Sequence, residues 1–275
     1  MKRIAVVYGG FSSEVEISIK SGKSVAGWLR NAGYDVYEVL LTKEEWCVVE
    51  ESGRYIIDRN DFSCTIGSEK ITFDKVFIII HGDPGENGLL QAYFEMLDIP
   101  FIGSSSLVTA IAFDKYACKS YLRGKGVNLA KDLYIRKGEE ISPDEILKEL
   151  KLPVFVKPTN GGSSFGVSKV KKAEELPAAL EVAFKEGDGV LIEEGIVGRE
   201  IDCGVYKDSK GSHALPLIEI VSKNEFFDYE AKYLGASDEI CPAPLDEQTT
   251  LRVQEEAVKI FDILGCTGLM RYDFM

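Results

Sequence analysis

The chain has 275 residues, of which 45% are hydrophobic and 28% are charged, an ordinary composition for a globular protein. This length allows two or three domains. The formal net charge of −13 argues against nucleic acid as a partner, because phosphate backbones require a basic surface, although a few local lysines could still hold one nucleotide. No apolar run approaches the roughly 18 residues of a membrane span, and Ile4–Tyr8 is too short for a signal peptide.

The cysteines and histidines also limit the kind of protein. The six cysteines are scattered without C-x-x-C spacing, at Cys47, Cys64, Cys118, Cys203, Cys241 and Cys266. Such spacing favours the reduced thiols of a cytoplasmic protein over a disulfide framework. The two histidines, His81 and His213, cannot supply a multi-histidine metal site.

The first hundred residues predict an open parallel sheet with helices. Strands are expected at 2–8, 35–41, 75–81 and 99–102, with helices at 13–32 and from the second glycine-rich turn to about 97. The first helix has Ile17, Val25 and Leu29 on its apolar side, and residues 43–73 show only mixed short strands. Glycine-rich turns follow the strands that end at Tyr8 and His81, and such turns place ligands at the carboxyl ends of parallel strands. Because G-x-G-x-x-G is absent, a dinucleotide-binding fold is not supported.

A second region begins after the glycine- and serine-rich stretch 103–106, where we place a domain boundary. The predicted domains are an N-terminal α/β substrate-binding domain, a central small domain with a phosphate loop, and a C-terminal large domain, over 1–103, 104–189 and 190–275. Helices are expected at 107–113, 114–124, 173–185 and 246–264, and strands at 154–157, 167–170, 190–194, 199–206, 213–221 and 268–275. Residues 224–245 are polar and aromatic without a clear period, and a loop of that length is usually functional.

A lysine and a glycine-rich turn form the most informative stretch. Lys157 ends an apolar strand, and the turn 161–166 contains Gly162, Ser163 and Ser164. Glycines allow a backbone to approach an anion closely with converging N–H groups, and the hydroxyls and the lysine add further donors. The pattern predicts a phosphate-binding loop within a β-hairpin.

Two alternatives compete with this interpretation. Gly161 and Gly166 have the glycine spacing of a P-loop, but Val167 stands where the lysine must be and a strand follows, so the P-loop is excluded. A glycine-rich hairpin without any ligand remains open from this stretch alone, because glycine turns are common.

Charged side chains recur at strand ends elsewhere. Any one of them is more often a solvated surface charge than a site residue. Glu193 ends an apolar strand as Lys157 does, and Arg271 and Asp273 alternate along a third strand and therefore share one face.

The order of these motifs closely resembles that of the D-alanine–D-alanine ligases, ATP-grasp enzymes of cell-wall synthesis. The motifs are Gly9-Gly10-x-Ser12-x-Glu14, His81-Gly82-x-x-Gly85-Glu86-x-Gly88, Asp114-Lys115, Val156-Lys157-Pro158 followed by Gly162-Ser163-Ser164-x-Gly166, Ile192-Glu193, Phe227-x-Tyr229-Glu230-Ala231-Lys232-Tyr233 and Arg271-x-Asp273. The likeness runs from Lys2 to the last residue. It implies an α/β protein with α+β character in its ATP-binding part, that is, an ATP-grasp fold with an N-terminal open parallel-sheet domain.

The resemblance also implies roles for residues around the nucleotide. Lys115 and Lys157 would hold the phosphates together with the loop of Gly162, Ser163 and Ser164, and Lys232 would meet the γ-phosphate. Adenine would be bound by Glu193 with the backbone of Glu194 and Ile196, and the ribose by Glu200.

The implied reaction joins two D-alanine molecules through an acyl phosphate, for peptidoglycan synthesis. Glu14 would bind the first ammonium group and His81 would lie near that substrate's carboxylate, while Tyr233 would join Ser163 and Glu14 in a hydrogen-bonded set. Arg271 would stabilise the oxyanion, and Asp273 would ligate Mg²⁺ (or Mn²⁺). The long loop 224–245 would exclude water from the intermediate. The resemblance further implies a cytoplasmic homodimer with no membrane or nucleic-acid partner.

One departure from the family pattern leaves alternatives open. The family continues past this point with a Glu-x-Asn metal pair and a final helical segment, whereas this chain ends at Met275 inside an apolar strand. We therefore expect that a C-terminal segment is missing. The alternatives are another ATP-grasp carboxylate–amine ligase, including a D-alanine–D-lactate type, and a nucleotide-binding module without turnover.

Overall fold

The structure is a computed structural model that describes residues 2–162, 165–222 and 237–275. It forms two compact units, one of Met1–Ala110 with Cys266–Gly268 and one of Ile111–Gly265 with Leu269–Met275. Within the described ranges, no helix combines the length and the apolar character that crossing a bilayer requires.

The first unit is built on a six-stranded sheet. Its elements are β1 (Arg3–Gly9), α1 (Val15–Asn31), β2 (Asp35–Leu41), β3 (Trp46–Glu50), β4 (Gly53–Ile56), β5 (Cys64–Ile66), β6 (Glu69–Ile71), β7 (Lys75–Ile78), α2 (Leu89–Met96) and β8 (Phe101–Ile102). The sheet order is β4-β3-β2-β1-β7-β8, with β1 parallel to both β2 and β7. β3 and β4 extend the sheet in antiparallel fashion, and β5 and β6 form a separate hairpin. The predicted open parallel sheet is thus confirmed at its centre.

Small residues determine how α1 packs on this sheet. Ser18, Gly22 and Ala26 are buried and spaced four residues apart, so they form one stripe along the helix. A Cβ on Gly22 would lie 2.4 Å from Tyr8 Cδ1, which means that the helix touches β1 closely at this point. The predicted apolar residues Val25 and Leu29 pack only partly buried against the core.

The second unit contains two sheets. Its elements are α4 (Lys115–Leu122), β9 (Asp132–Arg136), α5 (Pro143–Glu149), β10 (Val154–Pro158), β11 (Ser168–Val170), α6 (Leu176–Glu186), β12 (Gly189–Glu194), β13 (Glu200–Asp208), β14 (Gly211–Ala214), β15 (Ile218–Ser222), β16 (Ser237–Ile240), α7 (Glu247–Leu264) and β17 (Leu269–Phe274); α3 (Ser106–Phe113) crosses the division between the units. The small sheet has the order β11-β10-β12-β9. The large sheet has the order β14-β13-β15-β16, and β17 also pairs with β13.

One paired strand spans the predicted domain boundary at residues 189 and 190. A division between residues 189 and 190 would cut β12, which pairs along its whole length with β10 and β9. Hydrogen bonding therefore keeps residues 190–194 with the small sheet. The division between the two compact units falls after Ala110.

Two elements of the small sheet's layer were not predicted, and one predicted strand is divided. β9 and α5 fall in a stretch for which no element was predicted, although Ser142 and Glu145 form a capping box with Pro143 in the first turn of α5. The predicted strand 213–221 is broken into β14 and β15. The aperiodic segment 224–245 contains β16, which pairs with β15, while the part of it up to residue 236 lies outside the described residues.

Candidate functional site

Two glycine-rich turns of the first unit meet beyond the carboxyl ends of β1 and β7. Ser12 Oγ donates a hydrogen bond to the His81 carbonyl at 2.7 Å and accepts one from the Glu14 N–H at 3.2 Å. The Phe11 N–H donates to the Asp83 carbonyl at 2.8 Å. Glu14 is buried, with 8% of its surface exposed. Glu14 and His81, which the family resemblance assigns to one substrate site, therefore belong to turns that are hydrogen-bonded to each other.

Gly82 allows this close approach of the turns. Its φ of +71° is the left-handed region that glycine tolerates best, and a Cβ there would lie 2.9 Å from Ser12 Cβ. The Gly82 N–H donates a hydrogen bond to Glu86 Oε2 at 2.7 Å, so Glu86 of the same motif stabilises the conformation of the second turn.

The carboxylate of Glu193 is the centre of a charged cluster in the second unit. Glu193 lies on β12 opposite Phe155 of β10, and its Oε2 contacts the ammonium group of Lys157. Its Oε1 accepts a hydrogen bond at 2.5 Å from Lys119 Nζ, which comes from α4. Only 13% of the Glu193 side chain is exposed. The structure thus brings Lys157 and Glu193 together and adds a second lysine.

The two ammonium groups keep Glu193 ionised. Burial by itself raises the pKa of this carboxyl, but the charges and hydrogen bonds of Lys157 and Lys119 outweigh it and leave the pKa below its usual range. An ionised carboxylate in a mostly buried site is a strong hydrogen-bond acceptor for an amino group.

Lys115, at the start of α4, lies against the predicted phosphate loop. Asp114 caps α4 by accepting from the Ala117 N–H at 2.7 Å, which fixes the first turn where Lys115 stands. Lys115 Nζ donates to the carbonyl of Gly161 at 2.9 Å and lies 3.4 Å from that of Thr159. Both predicted phosphate lysines therefore adjoin the same glycine-rich turn.

The backbone of this turn has the predicted glycine geometry. Gly161 and Gly166 have φ values of +98° and +70°, and a Cβ on Gly166 would lie 2.7 Å from Glu186 Cγ. Gly162 is exposed and its carbonyl accepts from the Phe165 N–H at 3.3 Å. Ser163 and Ser164 lie outside the described residues, as do Lys232 and Tyr233.

The predicted adenine and ribose residues lie at the end of β12 and between it and the start of β13. The Glu194 N–H donates to the Lys131 carbonyl at 2.9 Å, and its side chain accepts from the Lys151 N–H at 2.8 Å. The N–H of Glu194 is therefore already occupied by a protein acceptor. Ile196 is 49% exposed, and Glu200 begins β13 opposite Ile220.

Arg271 and Asp273 lie on β17, which pairs with β13. Their side chains lie on the same face of the sheet, as the alternation predicted. The Arg271 guanidinium donates to both carboxylate oxygens of Asp273, at 2.8 and 3.2 Å. Asp273 is the register partner of Asp202 on β13, and Asp202 Oδ2 lies 3.4 Å from Arg271 Nε. One guanidinium therefore serves two carboxylates.

Asp202 is the less satisfied of the two carboxylates. Its Oδ1 is buried without a hydrogen-bond partner. Burial, reinforced by the charge of Asp273, raises the pKa of Asp202 to about 7. The hydrogen bonds to Asp273 raise the pKa of Arg271 above its already high ordinary value, so Arg271 is a permanent cation.

Carboxylates of this kind suit a magnesium ion. Mg²⁺ is usually held by one or two carboxylates with the remaining positions taken by water and phosphate oxygens. Asp273 and the orphaned oxygen of Asp202 fit that donor set. The described ranges contain no cluster of three or more His, Cys, Asp or Glu side chains that could hold a metal by themselves.

Lys119 and Asp202 were not predicted as site residues from the sequence. Lys119 stands four residues after Lys115, so the two lysines lie on one side of α4. Asp202 stands two residues after Glu200 on one strand face. The sequence contains both spacings, which could have drawn attention to these residues. However, both residues resemble ordinary surface charges until their burial is known.

The chain matches two family models. Residues 3–104 match the D-ala D-ala ligase N-terminus, and residues 122–275 match the D-ala D-ala ligase C-terminus. The D-alanine--D-alanine ligase of Phocaeicola vulgatus is 48% identical over 277 residues, covering 100% of this chain and 86% of that protein. The protein of the same name from Flavobacterium johnsoniae is 45% identical, with 100% and 85% coverage.

Solved structures give the same result. The VanG D-Ala:D-Ser ligase from Enterococcus faecalis is similar with a TM-score of 0.85 and 31% identity, covering 99% of this chain and 85% of that one. The D-alanyl-alanine synthetase A from Vibrio cholerae has a TM-score of 0.86 and 27% identity, with 99% and 84% coverage. The ATP-grasp fold expected from the sequence is thereby confirmed. The chain belongs to the D-alanine–D-alanine ligase family.

Proposed function

We propose that this protein joins two D-alanine molecules into D-alanyl-D-alanine with cleavage of ATP to ADP and phosphate, for peptidoglycan synthesis. The observation that carries the proposal is the placement of Lys115 and Lys157 at one glycine turn, with the ionised Glu193 against Lys157. Family membership over the whole chain supports the choice of D-alanine as substrate.

The nucleotide would bind along the small sheet. Lys115 and Lys157 would meet phosphate oxygens, since Lys115 lies against the glycine turn and Lys157 stands in the strand that leads into it. Glu193 would accept from the exocyclic amino group of adenine, assisted by the carbonyl of Glu194, and Glu200 would bind the ribose hydroxyls. Ser163, Ser164 and Lys232 would complete the phosphate contacts.

The first D-alanine would bind at the turns of the first unit. Glu14 is a buried carboxylate suited to an ammonium group, and His81 lies in the turn bonded to it. The carboxylate oxygen of this substrate attacks the γ-phosphorus, the bond to the ADP oxygen breaks, and an acyl phosphate forms.

The second step would depend on Arg271. The amine of the second D-alanine attacks the acyl carbon, the carbonyl oxygen becomes an oxyanion, and phosphate leaves as the amide forms with loss of a proton. A permanently charged guanidinium held by two carboxylates is a preorganised partner for that oxyanion. Asp273, with Asp202 beside it, would hold Mg²⁺, which neutralises phosphate charge when bound.

An isotope experiment tests the acyl-phosphate route. With D-alanine labelled by ¹⁸O in its carboxylate, one labelled oxygen should appear in the released phosphate. Release of unlabelled phosphate alongside the dipeptide would contradict this route.

A second candidate differs only in the second substrate. The similarity to a D-Ala:D-Ser ligase favours testing D-serine, and the D-alanine–D-lactate alternative is tested in the same mixture. Tyr233, whose residue type the family likeness associates with D-alanine, predicts D-alanyl-D-alanine as the main product at neutral pH. Offering the three nucleophiles together and separating the products by mass decides among them.

The cellular setting stays a prediction. A homodimer and a cytoplasmic location rest on family likeness, and the scattered cysteines support a reducing compartment. Sedimentation at several protein concentrations tests the dimer.

A further inference from the structure

Lys119 is a buried lysine that the proposed reaction does not use. Only 11% of its side chain is exposed. Its ammonium group donates to Glu193 Oε1 at 2.5 Å and to the Ala130 carbonyl at 2.8 Å, and it lies 3.3 Å from Asp132 Oδ1. A buried lysine is retained only when it is paired in this way.

The partners of Lys119 form an alternating series of charges. Asp132 on β9 is the register partner of Glu193 on β12, so the two carboxylates are direct cross-strand neighbours. Like charges in that position repel each other. Lys119 lies against both of them, and Arg123 neutralises Asp132 from the other side at 2.5 Å. The carboxylate pair is therefore stabilised by Lys119 of α4 and by Arg123 directly after this helix.

This arrangement fixes the direction of the Glu193 carboxylate. Each of its oxygens has one ammonium partner, Lys119 on Oε1 and Lys157 on Oε2. The other lone pairs of the two Glu193 oxygens are therefore held in a defined direction. The amino group of a nucleotide base can donate a hydrogen bond along that direction. Without Lys119, Glu193 would be repelled by Asp132 and neutralised by Lys157 alone, which would draw that lysine away from a phosphate.

We propose that Lys119 is a positioning residue that acts through Glu193 to set both the affinity for the nucleotide and the preference for adenine. The inference rests on the proposed function, because Glu193 is assigned there to adenine. Lys119 itself touches no substrate in this scheme.

The test measures binding of non-hydrolysable ATP and GTP analogues by calorimetry to the wild type, Lys119→Met, Glu193→Gln and the double variant. Lys125→Met is the matched control, since Lys125 is exposed near the end of the same helix and covers the ring of Tyr121. Thermal unfolding verifies that each variant is folded. Lys119→Gln replaces Lys119→Met if the methionine variant does not fold.

The expected result is a loss of ATP-analogue affinity of about ten- to a hundredfold in Lys119→Met, with a reduced preference over the GTP analogue. The double variant should bind no more weakly than the worse single variant, because both changes act on one group. Lys125→Met should bind as the wild type does.

Two outcomes overturn the inference. One is wild-type affinity and base preference in a folded Lys119 variant; the other is a loss in Lys119→Met that adds fully to that of Glu193→Gln. These results are separate from the proposed function, which falls only if the wild type forms no dipeptide from D-alanine and ATP.

Discussion

Replacement of Lys157 by methionine examines the phosphate site most sharply. Methionine keeps an unbranched apolar side chain beside Phe155, above whose ring the ammonium group lies at 5.8 Å, but it removes the charge. A charge-assisted hydrogen bond to a phosphate contributes roughly 1.5–3 kcal/mol, which corresponds to about ten- to a hundredfold in affinity.

The surroundings of Lys157 decide where in that range the effect falls. The Lys157 side chain is 27% exposed and that of Glu193 only 13%, so the pair is largely dry. Removing the lysine leaves Glu193 neutralised by Lys119 alone, and any phosphate then faces a nearby carboxylate. We therefore expect the upper half of the range for ATP. Because Lys119 remains, the loss in free energy of unfolding should be only about 1 kcal/mol, well below that of a fully broken buried pair.

Calorimetry with a non-hydrolysable ATP analogue checks this expectation, with D-alanine affinity measured in parallel. Lys185→Met is the control, since it removes a lysine of the same unit that forms only a surface pair with Glu181, at 3.2 Å. Unchanged nucleotide affinity in a folded Lys157→Met protein would refute the assignment of the loop to phosphate.

Three further predictions concern packing, thiols and pH. Gly22→Ala should lower the free energy of unfolding in urea by about 1–3 kcal/mol, because its Cβ would overlap Tyr8; an unchanged midpoint would contradict the close contact of α1 with β1. Burial and the charge of Asp202 raise the pKa of the Cys203 thiol to about 11, so at pH 8 a thiol reagent should modify the exposed Cys241 long before Cys203. The modified cysteine is located by peptide mass, and modification of Cys203 at an equal rate would count against its burial. Burial raises the pKa of Asp202 from its ordinary 3.8 to about 7, so between these two values the folded chain retains a proton there that the unfolded chain has lost, and stability falls as pH rises across that window. Asp202→Asn, melted without metal, should therefore gain more stability relative to the wild type at pH 8 than at pH 5, and an equal gain at both pH values would show that Asp202 does not titrate as described.

The sequence predicted those elements whose pattern is carried by large apolar residues. The strand at 35–41 and the helix at 246–264 are examples, and the latter is capped by Asp246 at its start and by Gly265, with φ of +71°, at its end. The packing of α1 could not be predicted in this way, because its contact stripe consists of Ser18, Gly22 and Ala26, which carry almost no hydrophobic pattern.

The site residues likewise divide into those that could be predicted from the sequence and those that could not. Lys157, Glu193 and Asp273 stand at the ends of strands or alternate along them, so their positions followed from the strand pattern and from the family likeness. Lys119 and Asp202 could not be separated from surface charges, because their importance depends on which groups meet them from other strands and helices. Register pairs such as Asp132 with Glu193 are properties of the folded sheet and of no local stretch of sequence.

The ligase activity is measured most directly by the product balance with ATP, Mg²⁺ and D-alanine as the sole amino acid. We expect D-alanyl-D-alanine, ADP and phosphate in equal amounts, with no ADP formed when L-alanine is supplied instead. A protein that binds ATP but forms no dipeptide, or that releases ADP without a matching amount of dipeptide, would refute the proposed reaction.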